Sequence, residues 1–192
     1  MPEQPTTPSA RQTELLEAAY RYALAHGLAD LSLRPLATAI GSSPRVLMFL
    51  FGTKDGLVKA LLARARTDEL ELLDELRPPG GPLGLAPAVE RVWTWLAAEE
   101  HRPLLRLWAE AYARSLVEPD GAWAGFARAT VHDWLDVLAA CQPPTERDSD
   151  EGATRRTLAL AVLRGALLDL LATNDEPRTT TAVHQQLTLL GG

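Results

Sequence analysis

What most limits the fold of this chain lies between Ser32 and Phe51, where two short apolar runs are separated by only the three residues Gly41-Ser42-Ser43. Ser32 can accept a hydrogen bond from the unpaired amides of a first helical turn, and Leu33, Leu36, Ala37 and Ile40 then share one buried face. Gly41 ends that helix, because glycine tolerates the positive φ of an immediate chain reversal. Ser43 as N-cap and Pro44 at the first helical position start the next helix. So short a turn holds two helices at a steep angle, the geometry of a helix-turn-helix in which the second helix can enter a major groove. The pattern alone also fits an ordinary helical corner. Its continuation, Gly52-Thr53-Lys54-Asp55-Gly56-Leu57, places another capped helix start with a lysine in its first turn just beyond, a second terminus suited to phosphate.

Upstream, Leu15, Ala18, Ala19, Tyr22 and His26 form one helical stripe that begins near Ser9 or Arg11 and stops at Gly27. Over Arg11 to Leu61 the chain resembles the tetracycline-repressor (TetR) family of dimeric, ligand-responsive bacterial repressors. Leu15, Ala18, Ala19, Tyr22 and Gly27 match the family's first helix and its stop; Ser32, Ala37 and Gly41 match the second helix and turn; Leu47, Phe51, Lys54 and Leu57 match the end of the third helix and the start of the fourth. The resemblance implies an operator DNA partner contacted by Ser32, Arg34, Ser43, Pro44, Arg45, Phe49 and Lys54. Two positions depart from the family pattern: Met48 replaces a tyrosine, and Leu50 replaces a hydrogen-bonding residue, so two expected contacts to DNA cannot form.

The predicted architecture is all-α. Residues 1–9 form a mobile tail, residues 10–53 a three-helix helix-turn-helix domain, and residues 54–192 a larger helical ligand-binding and dimerisation domain. A helix over about 54–77, about 35 Å long at 1.5 Å per residue, connects the two before Pro78-Pro79-Gly80-Gly81-Pro82 breaks it. Three further helices are predicted, from Ala86 to Glu100, from Pro103 to a stop at Pro119, and from Asp120 or Gly121 to Cys141. Their apolar stripes bring together Trp93, Leu96, Trp108, Tyr112, Trp123, Phe126 and Trp134. So many aromatics, interrupted by alanines, fit either a packed core or a cavity for a flat, lipophilic ligand that is neutral or weakly cationic. Tyr112, then Glu110 or Asp133, are the expected polar contacts.

Two last helices, about Glu151 to Thr173 and Arg178 to Leu190, are separated by Asn174-Asp175-Glu176-Pro177. The first is apolar over more than half its circumference and must be covered on two sides, most economically by the body and by a second copy of the chain. The expected homodimer interface comprises Leu160, Leu163, Leu167, Leu171, Val183 and Leu187. The run Arg164 to Asp169 followed by the Asn-Asp break resembles the TetR-type dimerisation helices.

The net charge of −6 is unevenly spread: residues 1–66 carry eight Lys/Arg against five Asp/Glu, and residues 67–192 eleven against twenty. A mildly basic head on an acidic body favours one docking orientation on DNA. No apolar run approaches the length of a membrane span and no signal-peptide core is present, so a cytoplasmic location and no membrane contact are expected. Cys141 is single, which excludes an internal disulfide, and no cofactor or metal is expected. Catalysis lacks support: no HExxH, G-x-S-x-G or phosphate-binding glycine loop occurs, and adjacent His132 and Asp133 point about 100° apart on a helix. Besides a regulator, the sequence leaves open an interaction protein that keeps the fold without reading DNA, since Val46 to Phe51 is apolar all round.

Overall fold

A computed structural model describes residues 9–28, 30–76, 81–118 and 120–190. The expected tail over residues 1–8, the break at Pro78-Pro79-Gly80 and the stop at Pro119 lie outside the described residues. The elements are α1 (Ala10–His26), α2 (Leu33–Ala39), α3 (Pro44–Phe51), α4 (Lys54–Leu76), α5 (Leu85–Ala97), α6 (Arg102–Val117), α7 (Phe126–Cys141), a single turn α8 (Pro144–Arg147), α9 (Asp150–Thr173) and α10 (Glu176–Leu190), with 3-10 turns at Glu99–His101 and Gly121–Trp123. No strand occurs among the described residues.

Local chemistry sets the boundaries. Ser9, expected in the tail, is instead the N-cap of α1, its hydroxyl accepting from Gln12 N at 3.2 Å. Ser43 caps α3 in the same way through Val46 N at 3.2 Å, with Pro44 at the start. Ser32 is extended ahead of α2, but its side chain makes no cap bond, so the first turn of α2 is held by packing of Leu36 and Ala37 and its hydroxyl remains on the surface. The stripe of α1 also differs. Leu15, Ala19, Tyr20 and Ala23 are buried, while Ala18 and Tyr22 are half-buried and His26 is exposed, because the face turned to α4 is rotated from the one the apolar count favoured.

The expected helix over 120–141 breaks in two at Ala124-Gly125, where Gly125 adopts a left-handed φ of 76°. Asn174, also left-handed, ends α9, and Arg178 then forks onto Asp169 at 2.7 Å to close the α9–α10 hairpin.

One apolar core runs through both parts of the molecule, with α4 as the shared element. Leu57 and Leu61 pack with Ala19, Leu36 and Leu47 of the head, and Leu72 and Leu73 with the body. The midsection of α4 is also clipped to α1: Tyr20 donates to Asp68 at 2.8 Å, and Arg64 pairs with Glu17 at 2.6 Å and with Asp68. Burial and the bond to Asp68 hold the Tyr20 hydroxyl well above the usual tyrosine range, so it stays a donor.

The α3–α4 corner depends on Gly56. A Cβ there would lie 2.1 Å from the Phe51 carbonyl oxygen, so any side chain forces the two backbones apart. Gly56→Ala is expected to destabilise the protein by about 1–3 kcal/mol, as overpacking does elsewhere, despite alanine's better helix propensity. A chemical-denaturation midpoint at or above wild type would contradict this close approach.

Candidate functional site

Two surfaces and one cavity account for the residues singled out by the sequence. On the head, Ser32, Arg34 and Arg45 are exposed, Ser43 and Pro44 are half-buried, and Lys54 is exposed at the start of α4. Arg34, Arg45 and Lys54 form no ion pair among the described residues, so three cations face outward uncompensated. Between them α3 presents an apolar surface. Leu47 is buried, Val46 and Met48 are partly exposed, and Phe49 is 85% exposed, the most exposed large apolar side chain described. Gln12 Nε2 donates to the Leu50 carbonyl at 3.0 Å and fixes the end of α3 against α1.

In the body, a partly enclosed cavity of about 40 Å³ is lined by α4, α5, α6, α7 and α9. Of the seven aromatic-cluster residues, it brings together Leu96, Trp108, Phe126 and Trp134. The other three lie elsewhere. Trp93 is buried in the α5–α10 seam, its indole N–H donating to Thr180 Oγ1 at 2.9 Å. Trp123 sits in the 3-10 turn packed on α4, and Tyr112 lies behind Arg164, whose Nη1 donates to its hydroxyl at 3.3 Å. Glu110 and Asp133 are engaged outside the cavity: Glu110 accepts from Leu28 N of the head at 2.9 Å, and Asp133 pairs with Arg66 at 2.5 Å.

The polar groups that do line the cavity are Glu69 and Arg164, neither of which the sequence reading picked out. Each interrupts an apolar helical stripe, Glu69 among Ala65, Leu72 and Leu73, and Arg164 among Leu160, Leu163 and Leu167. A charge in such a stripe was the available signal. Glu69 is 6% exposed and accepts from Trp134 Nε1 at 2.7 Å. Burial raises its carboxyl above the ordinary glutamate range, against the Trp134 hydrogen bond and the positive Arg66.

That shift has a measurable consequence. With the folded pKa above the unfolded one, the native state binds the extra proton between the two values, so stability falls as pH rises through that window. Glu69→Gln keeps the acceptor for Trp134 and removes the buried charge. It should raise the melting temperature near neutral pH, about 2–4 °C per kcal/mol gained for a chain of this size, with the gain shrinking as pH falls towards 4.5. An equal gain at every pH would show that the charge is not its source.

The five leucines and one valine assigned to the dimer interface point inward. Leu160, Leu163 and Leu167 line the cavity, Val183 is 1% exposed, and Leu171 and Leu187 are half-buried against the core. They occupy the arc of α9 and α10 that closes the body, so they have little surface left to offer a partner. The opposite arc of α9 is a different stripe at helical spacing: Leu158 and Leu168, 48% and 53% exposed, with exposed Ala161, Gly165 and Ala172. A Cβ on Gly165 would meet nothing within 4 Å.

Among the described residues, no helix is long and apolar enough to cross a membrane, and no cluster of metal-binding side chains occurs. No protein-family model matches the chain, and no curated protein matches it in sequence. Solved structures do match it in shape. A TetR-family transcriptional regulator from Cytophaga hutchinsonii superposes with a TM-score of 0.77 at 15% identity, covering 99% of this chain and 98% of that one. A TetR transcription regulator from Haloarcula marismortui gives a TM-score of 0.74 at 18% identity, over 94% and 96% of the two chains. The multidrug binding protein EbrR, in complex with imidazole, gives 0.66 at 25% identity over 96% of each chain. The fold of this chain is that of the TetR-family transcriptional regulators.

Proposed function

We propose that the protein is a cytoplasmic, homodimeric transcriptional regulator, a repressor released from its operator DNA when a small apolar or aromatic ligand enters the body. The observation that carries this reading is the path of α4. Lys54, at one end, is exposed on the head, as are Arg34 and Arg45; Glu69, four turns on, is buried in the cavity wall. A rigid helix that starts at one site and lines the other converts a change at one into a displacement at the other. The Glu110 bond to Leu28 N adds a second link, because α6 carries both Glu110 and the cavity residue Trp108.

Dimerisation belongs to the outward stripe Leu158, Ala161, Gly165, Leu168 and Ala172, where small residues permit two α9 helices to approach closely. Two heads so joined read two half-sites about 34–36 Å, or a small multiple, apart. Phe49 and Met48 suit apolar contact with thymine methyls, and Ser32, Ser43, Arg34 and Lys54 suit phosphate.

As it stands, the cavity is too small for a drug-sized ligand, whose pockets measure about 300–1,000 Å³. Ligand entry therefore requires the lining to part, and Trp95, Leu104 and Arg164 are its half-buried members. The energy available for the switch is the difference in ligand affinity between the two arrangements; a hundredfold preference, about 2.7 kcal/mol, lowers operator affinity by at most that factor. The test is an electrophoretic shift with genomic fragments from the neighbourhood of the gene, repeated while planar aromatic compounds are titrated and tryptophan fluorescence is followed. A shift reversed by a compound whose binding is weakened by Trp108→Leu and Trp134→Leu supports the reading. Failure to retard any fragment sinks the DNA-binding half of it and leaves a sensor without an operator.

A further inference from the structure

The cavity holds two opposite charges that do not pair with each other. Glu69 Oε2 is buried without a partner, and so are Arg164 Nε and Nη2 and the Trp108 indole N–H. Arg164 is nevertheless held in place: its Nη1 reaches the Tyr112 hydroxyl at 3.3 Å, and its Cζ lies 5.1 Å from the Tyr112 ring and 6.0 Å from the Trp108 ring. Nε and Nη2 form the side edge of the guanidinium, two parallel donors that match the two oxygens of a carboxylate. Leaving such an edge buried and unpaired is costly, so the cavity as built favours a guest that satisfies it.

We infer that the ligand is a planar aromatic carboxylic acid bearing a hydrogen-bond donor, its carboxylate forked on Arg164 Nε and Nη2 and its donor directed to Glu69 Oε2. This deepens the proposed function and rests on it. The class follows from the count of unmatched groups. Three buried donors require a guest rich in acceptors, whereas one buried acceptor requires a single donor. The remaining wall, from Leu72, Leu96, Leu105, Phe126 and Trp134, is apolar and takes a ring. A lipophilic cation would satisfy Glu69 but would leave Arg164 facing a like charge in a medium of low dielectric constant. The acid also engages both helices that matter: Arg164 lies on α9, which carries the outward apolar stripe, and Glu69 on α4, which leads to the head.

The experiment compares matched one-ring and two-ring sets on the full chain: hydroxybenzoate and hydroxynaphthoate, the unsubstituted benzoate and naphthoate, and the uncharged carboxamides and cationic amidines of the hydroxylated pair. Binding is read by tryptophan fluorescence and calorimetry. The acids should bind at least tenfold more tightly than the amides and amidines. Arg164→Gln should abolish that preference, and Arg164→Lys should not restore it, because an ammonium lacks the fork. Glu69→Gln should reduce the advantage of hydroxylated over unsubstituted acids while keeping the preference for acids over amides. Thermal melts of each variant establish that it is folded. Amides or amidines that bind as well as the acids, or an acid preference that survives Arg164→Gln, would overturn the assignment while leaving the ligand-responsive reading intact. If no member of any set binds, both this inference and the ligand half of the proposed function fall.

Discussion

Leu168→Asp should leave the protein folded but monomeric, whereas Leu163→Asp, five residues earlier on the same helix, should unfold it. Leu168 is 53% exposed on the outward arc of α9, so an aspartate there keeps its water in the monomer and costs the fold little. In a dimer the same carboxylate would lie in an apolar seam, facing its symmetry mate, and association would be lost. Leu163 is 1% exposed and lines the cavity beside Leu160 and Leu167. An unpaired charge there costs several kcal/mol, a large share of the roughly 5–15 kcal/mol that separates folded from unfolded domains. Light scattering and circular dichroism distinguish the two outcomes. Leu168→Asp should also lose operator binding, since a single head with few cations has little affinity at physiological salt. A dimeric, DNA-binding Leu168→Asp protein would place the interface elsewhere.

That contrast marks the limit of what α9 discloses as a sequence. Its composition says that it is covered on two sides, because leucines and alanines occur almost all round, but not which arc meets which neighbour. The choice is made by α5, α7 and α10, which pack on Ala159, Leu160, Leu163, Leu167 and Leu170. The head is more legible because its determinants are local. Ser43, Pro44 and Gly41 act within a few residues of themselves, and they place α2 and α3 where the spacing puts them. Ser32 is the exception, since a serine before a helix caps it only if the rotamer permits, and here packing decides instead.

The cavity is legible by half. Large apolar side chains on amphipathic helices are bound to meet, and Trp108, Phe126, Trp134 and Leu96 do. Trp93 and Trp123 follow the same periodicity yet face α10 and α4, because the break at Gly125 and the docking of α10 divide the aromatics between seams. Long-range pairings decide the polar lining. Glu69 is brought to Trp134 across 65 positions, and Glu110 is spent on the head rather than on a ligand. A charge inside an apolar stripe is therefore a better marker of a built site than a polar residue beside an aromatic cluster.

The head separates two kinds of contact, and Arg45 and Lys54 should show them differently. Arg45, in the first turn of α3 and exposed, is placed to reach base edges if α3 enters the major groove. A good bidentate base contact is worth about 1–3 kcal/mol. In a symmetric dimer Arg45→Ala removes two such contacts, so cognate binding should fall by about 2–6 kcal/mol, roughly 30-fold to more than 10⁴-fold, with a far smaller loss on scrambled DNA. Lys54, at the N-terminus of α4, is placed for phosphate. Lys54→Ala should weaken every sequence alike and, with one phosphate lost per head, reduce the slope of log affinity against log salt by about 1.8. The apolar surface of α3 sharpens the comparison: with Val46, Met48 and Phe49 supplying no charge, the three cations carry most of the electrostatic term, so losing one per head should be visible against so small a total. Titrations at several salt concentrations, on cognate and scrambled duplexes, read both effects. Equal losses on both duplexes for Arg45→Ala would make Arg45 a backbone contact and leave base readout to Phe49 and its neighbours.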